Sequence, residues 1–166
     1  VLFNQLIAGG VIRGIRLLST SQSSQYDGVF RFCAEEPLDN LIFNEAKNPL
    51  GVHDEGLNTY KTQPKVLEYK YSLDGLIREF EAGIKHENDV DLAIFWDMGI
   101  EYRKEYDVLS YIDFDQTHHR PHHGLTHRLT SANSHFSAIC LKELFQLLND
   151  PAQAQVYQKT TYGADI

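Results

Sequence analysis

The stretch Leu92-Ala93-Ile94-Phe95-Trp96, bounded by Asp91 and Asp97, is apolar at every position. A half-exposed strand alternates polar and apolar residues, whereas an unbroken run is the pattern of a strand buried on both faces. Such a strand needs a covering layer on each side of its sheet. Upstream, Leu73, Leu76, Ile77 and Phe80 share one face of a helix over 73–82, with Gly83 as its C-cap. Before that helix, Val66-Leu67-Glu68-Tyr69-Lys70-Tyr71 reads as a strand. The succession predicts an α/β (α+β) fold, with a central mixed β-sheet flanked by helices.

The rest of the chain fits this frame. Phe3, Ile7, Val11, Ile15 and Leu18 are spaced for one helix over 2–18, weakened by Gly9, Gly10 and Gly14. Strands are expected over 26–33, from 41 to 43, and over 106–112. The segment 52–64 reads as loop. A last helix is expected over 137–148, stopped by Asn149-Asp150-Pro151. The organisation is one domain over 1–150, containing a His-rich loop at 116–128, and a polar C-terminal tail over 151–166. Because the chain opens at Val1 and enters a helix pattern at once, it reads as a domain of a larger protein with an upstream domain.

Several classes are set aside. No apolar run approaches the roughly 20 residues of a membrane span. Arg13 and Arg16 interrupt the apolar opening, so it is not read as a signal peptide. Cys33 and Cys140 are too few for a disulfide framework and read as two buried thiols of a cytoplasmic protein. There is no Walker-type loop and no G-x-S-x-G elbow. The net charge of -8 argues against a general electrostatic binder of nucleic acid, but a site built from carboxylates must itself be acidic. Charge is also uneven: Gln116 to Leu141 holds no acidic residue, yet carries Arg120, Arg128 and six histidines.

Residues i and i+2 of a strand share a face, so Glu68 and Lys70 point the same way and Tyr69 the other. A carboxylate beside a lysine on a rigid element can hold a divalent metal and position a water or phosphate next to it. With Asp27 at the head of the strand 26–33, Leu67-Glu68-Tyr69-Lys70 on the next long strand, a helix directly after it and then the apolar strand, the sequence resembles the PD-(D/E)xK nuclease superfamily, over roughly residues 1–112. It departs from that pattern in two ways. The first helix holds no acidic residue, and the interval from Asp27 to Glu68 requires an extra hairpin.

The resemblance implies a restriction-endonuclease-like core and metal-dependent hydrolysis of phosphodiester bonds in DNA, with RNA not distinguished. It implies Mg²⁺ or Mn²⁺ held by Asp27 and Glu68, with the Tyr69 carbonyl completing the shell. Lys70 would orient a water or stabilise developing charge. The biological setting would be the effector module of a restriction or defence protein; a homodimer stays open. The alternative function is a nuclease-like module without catalysis, used for nucleic-acid binding or assembly.

Blander readings stand beside these. Glu68 and Lys70 can be an exposed charge pair, and Asp27-Gly28 a local turn. A second triplet, Glu45-Ala46-Lys47, runs into Asn48-Pro49 rather than a helix, which leaves Glu45 as an extra ligand at most. In the His-rich loop Pro121 and Gly124 break both i,i+4 histidine pairs, against a zinc site. The loop is instead expected on the same side as the carboxylates, with Arg120, Thr126, His127 and Arg128 contacting phosphate.

Overall fold

The strand that begins at Leu92 lies in the middle of the sheet, and both of its faces are covered. The computed structural model describes residues 2–20 and 26–163. In chain order the elements are α1 (Leu2–Ala8), β1 (Ile15–Thr20), β2 (Gly28–Ala34), β3 (Tyr60–Lys61), β4 (Lys65–Ser72), α2 (Leu73–Glu81), β5 (Leu92–Asp97), β6 (Asp107–Ser110), β7 (His127–Thr130), β8 (His135–Cys140), α3 (Leu141–Asn149) and α4 (Pro151–Tyr162). The strand order is β1-β2-β4-β5-β8-β7-β6, with β3 pairing β2. β4, β5 and β8 run parallel; the pairs toward both edges are antiparallel. This is an α/β fold on an open mixed sheet.

The pleat of β5 divides the core. Leu92 and Ile94 pack with Phe30, Leu67, Tyr111 and Ile139, under Phe3 of α1 and Leu144 and Leu147 of α3. Ala93 and Phe95 point the other way, against Leu73, Leu76 and Ile77 of α2 and against Phe136 and Ala138 of β8. Each large apolar side chain buried in these layers contributes roughly 1.5–3 kcal/mol. β4 runs into α2 without a loop because Ser72 caps the helix, its hydroxyl accepting from the Asp74 N–H at 3.2 Å. Gly83 follows the helix with φ +72°, as a C-terminal glycine does.

Four expectations are corrected. The helix expected over 2–18 stops at Ala8, and Ile15–Thr20 is the edge strand β1. Gly10, at φ +76°, turns the chain between them. Gly14 then passes so close to the loop at His123 that a Cβ would meet a backbone oxygen at 2.5 Å. The residues from 41 to 43 form no strand; Ile42 makes only an isolated bridge with Val52. The helix expected over 137–148 is two elements, β8 and α3. The tail expected over 151–166 is helical as far as Tyr162: Asp150 caps α4 by accepting from the Gln153 N–H at 3.2 Å, and Ala154 and Gln158 are buried. Cys33 and Cys140 are free and buried, as expected. Among the described residues no helix is long and apolar enough to cross a membrane.

Candidate functional site

The register of β4 against its two neighbours builds the site. Glu68 and Lys70 pair in register with Ala93 and Phe95 of β5, so they share the face covered by α2. Leu67 and Tyr69 lie on the opposite face, with the larger core. Gly28 pairs with Leu67 in the antiparallel β2–β4 ladder, and extending that register sets Asp27 opposite Glu68. Asp27 is anchored there, its Oδ2 accepting from the Tyr69 N–H at 2.8 Å. Asp27 and Glu68 thus adjoin, near enough for Asp27 to raise the pKa of Glu68. Two ionised carboxylates are both acceptors, so their contact is stable only with a proton or a cation between or beside them.

That cation is supplied by the chain itself. Lys85, just past α2, places its ammonium against Glu68 Oε1 and 2.9 Å from Glu79 Oε2 of α2; the latter contact is an ion pair without hydrogen-bond alignment. Lys70 lies past Gly75 and ion-pairs with Glu79 Oε1, one turn further along the helix. The Lys85 ammonium also sits 6.0 Å from the centre of the Tyr26 ring. Glu68 is only 1% exposed, and its second oxygen, Oε2, is buried without a hydrogen-bond partner. Burial pushes the Glu68 carboxyl above its ordinary pKa, Lys85 pulls it back, and Asp27 adds to the rise. Glu79 moves the other way: burial is outweighed by Lys70 and Lys85 together, which hold it low.

The structure therefore brings Asp27, Glu68 and Lys70 together and adds Glu79 and Lys85, which the sequence reading missed. A charged residue on a helix reads as solvated. The available signal was the spacing of Gly75 and Glu79, which lets a lysine lie along the helix to a carboxylate one turn on. Glu45 is not part of the cluster. It is exposed in the turn closed by Asn44 and Asn48, and Asn48 is held by His123 on the far side of the sheet.

The His-rich segment is a larger correction. As far as Leu125 it packs on the face opposite Glu68: His122 stacks on Phe32 at 4.0 Å, and Leu125 enters the core with Phe30 and Leu67; His127, in register with Ala138, turns to the face of Glu68, three strands away. Arg120 is 3% exposed and donates to four backbone carbonyls, those of Pro49, Gly51, Tyr111 and Leu125, at 2.8–2.9 Å. Thr126 is buried, with its hydroxyl on Ala138 O and the Cys140 N–H. His127 is buried between Thr126 and Gln158. These three side chains fasten loops to the sheet and have no free surface for a phosphate. Arg128 alone of the four is exposed.

His123 gives a pH-dependence. Its Nδ1 accepts from the Arg13 N–H at 3.0 Å, so Nε2 carries the proton and donates to Asn48 Oδ1 at 2.8 Å. Burial, with Arg13 and Arg120 nearby, pushes its pKa down to about 3. The unfolded chain takes up a proton below pH ~6.5 while the folded chain does not, so stability is lost as pH falls from there toward 3. Between pH 7 and pH 5 this amounts to roughly 2 kcal/mol. Urea unfolding at the two pH values should show His123→Gln losing less stability on acidification than wild type. An equal loss in both proteins would remove His123 as the cause.

The chain matches no known family, no curated protein and no solved structure. Among the described residues, no three His, Cys, Asp or Glu side chains form a ready-made ion cage. Two adjoining carboxylates with one buried, unpartnered oxygen fit a hard divalent cation of the Mg²⁺ kind, which takes one or two protein carboxylates and keeps several waters.

Proposed function

We propose that the chain is a metal-dependent nuclease domain acting on phosphodiester bonds of DNA. The observation that carries this reading is the meeting of Asp27 and Glu68 on one face of the sheet, with Lys70 two residues along the same face. The succession α1, β1, β2, β4, α2, β5 supports it, since a helix, a meander ending in Glu-x-Lys, a helix and a buried strand is the order the superfamily resemblance implies.

Asp27 and Glu68 are the residues that would hold Mg²⁺ or Mn²⁺. When bound, the ion would lower the pKa of a water and offset charge on phosphate oxygens. Asp27 is held by the Tyr69 N–H through Oδ2, which fixes its carboxylate on the strand beside Glu68. Lys70 supplies a point cation on the same face, able to follow charge as it develops on a scissile phosphate, and Glu79 steers it. The test is nicking of supercoiled plasmid by wild type with Mn²⁺, against the same protein in chelator.

A second reading, a nuclease-like module that binds without cutting, is favoured by Lys85. Its ammonium already neutralises Glu68 and covers it, so an ion must displace it. Lys85→Met separates the two. Removing the ammonium strands a buried carboxylate, which should cost about 3–5 kcal/mol without metal. In the nuclease reading Mn²⁺ restores much of that loss, so the Mn²⁺-induced rise in melting temperature is larger in Lys85→Met than in wild type. If Mn²⁺ moves neither protein, the cluster is a permanent internal ion pair and the binding module is the better account.

A further inference from the structure

On the opposite face, at the start of the three parallel strands, a cleft of about 310 Å³ opens beside the His-rich segment. Lys65 at the start of β4 and Arg128 on β7 both line it. Neither forms an ion pair among the described residues. In a chain of net charge -8, two unpaired cations around one cavity are a departure from the average surface. His119 and His135 stand at the same cleft. Its one carboxylate, Asp91, is already engaged, Oδ2 accepting from the Val66 N–H at 2.8 Å.

The walls are as particular as the charge. Arg128 lines the cavity together with Tyr111, whose phenol its charge faces. His122 stacks on the buried Phe32 within 7° of parallel, so His122 is the ring that presents its outer face toward the cavity. A cavity of this size is at the lower end of the roughly 300–1,000 Å³ that small molecules occupy. An Arg fork and a Lys suit a dianionic phosphate, and an aromatic wall suits a ring.

We infer that this cleft is a binding site for a phosphate monoester carried on a small ring-bearing molecule, with the size and chemistry of a nucleoside monophosphate. Arg128 and Lys65 hold the phosphate, and the ring lies along His122. The site faces away from Glu68 and stands whether or not the carboxylate cluster cuts nucleic acid.

The experiment is a calorimetric titration of the whole chain with adenosine 5′-monophosphate, adenosine and inorganic phosphate. The expected result is sub-millimolar binding of the monophosphate, with adenosine and inorganic phosphate each weaker by about tenfold or more. Lys65→Ala with Arg128→Ala should lower affinity for the monophosphate by about tenfold or more, with an unchanged circular-dichroism melt showing the fold intact. Glu68→Ala should leave it unaltered. No heat at millimolar monophosphate, equal binding of adenosine, or an unaffected double variant would overturn the site. Equal binding of inorganic phosphate would overturn the ring-bearing ligand.

Discussion

Arg120→Ala is expected to lower folding stability by about 3–5 kcal/mol, since several buried carbonyls lose a charged donor at once. Among the described residues the guanidinium has no acidic partner. Burial pulls its pKa down to about 9, so it stays charged at neutral pH, held by backbone dipoles alone. Its donors join three otherwise separate places: the turn at Pro49 and Gly51, the end of β6 at Tyr111, and Leu125 ahead of β7. Truncation leaves these carbonyls without the donor, at roughly 1–3 kcal/mol for each that water does not reach. In a domain of this length the loss corresponds to a melting temperature lower by about 10 °C. Arg120→Lys should recover little, because a single ammonium cannot span the fork. Arg128→Ala, at an exposed position, should change stability by about 0.5 kcal/mol or less. Urea unfolding of the three variants measures the contrast. A loss below 1 kcal/mol in Arg120→Ala would mean the carbonyls find other donors.

Arg120 also shows where sequence and structure part. Between Pro121 and two histidines, in a stretch without acidic residues, it has the look of a phosphate contact. Nothing local says that four carbonyls from three segments converge on it. The same limit hid β8. Phe136, Ala138, Ile139, Cys140, Leu141 and Leu144 mix strand and helix spacing because β8 passes into α3 with no break between them. α4 was obscured by Asp150-Pro151, which ends one helix and, as a capping Asp followed by a first-turn Pro, begins the next. By contrast, β5 was legible because burial on both faces leaves no polar position in it. β4 was legible because Glu68 and Lys70 alternate with Leu67 and Tyr69. The facing of Asp27 and Glu68 was implied by the superfamily resemblance, not by spacing. Lys85 was not, since its role depends on how the chain turns back after α2.

Lys70→Ala and Glu68→Ala are expected to fail in different ways. In the nuclease reading Lys70 acts on charge that develops at the phosphate, and its partner in the resting protein is Glu79, not the Asp27–Glu68 pair. Its removal should abolish detectable nicking while leaving Mn²⁺ and DNA binding within about threefold of wild type, the pattern of an interaction made chiefly in the transition state. Glu68 touches Asp27 and Lys85 and carries the unpartnered oxygen, so its removal should lose Mn²⁺ affinity and nicking together. Glu68→Ala also frees Lys85 from one carboxylate, and Glu79 remains to hold it, so the fold should survive. The measurement is plasmid nicking at matched concentration with Mn²⁺, alongside calorimetric titration of the metal. Equal nicking by wild type and Lys70→Ala would place the chemistry elsewhere. If wild type and both variants are inactive on plasmid, single-stranded DNA and RNA, and Mn²⁺ binds none of them, Lys85 is the permanent occupant of the site and the domain is a binding module.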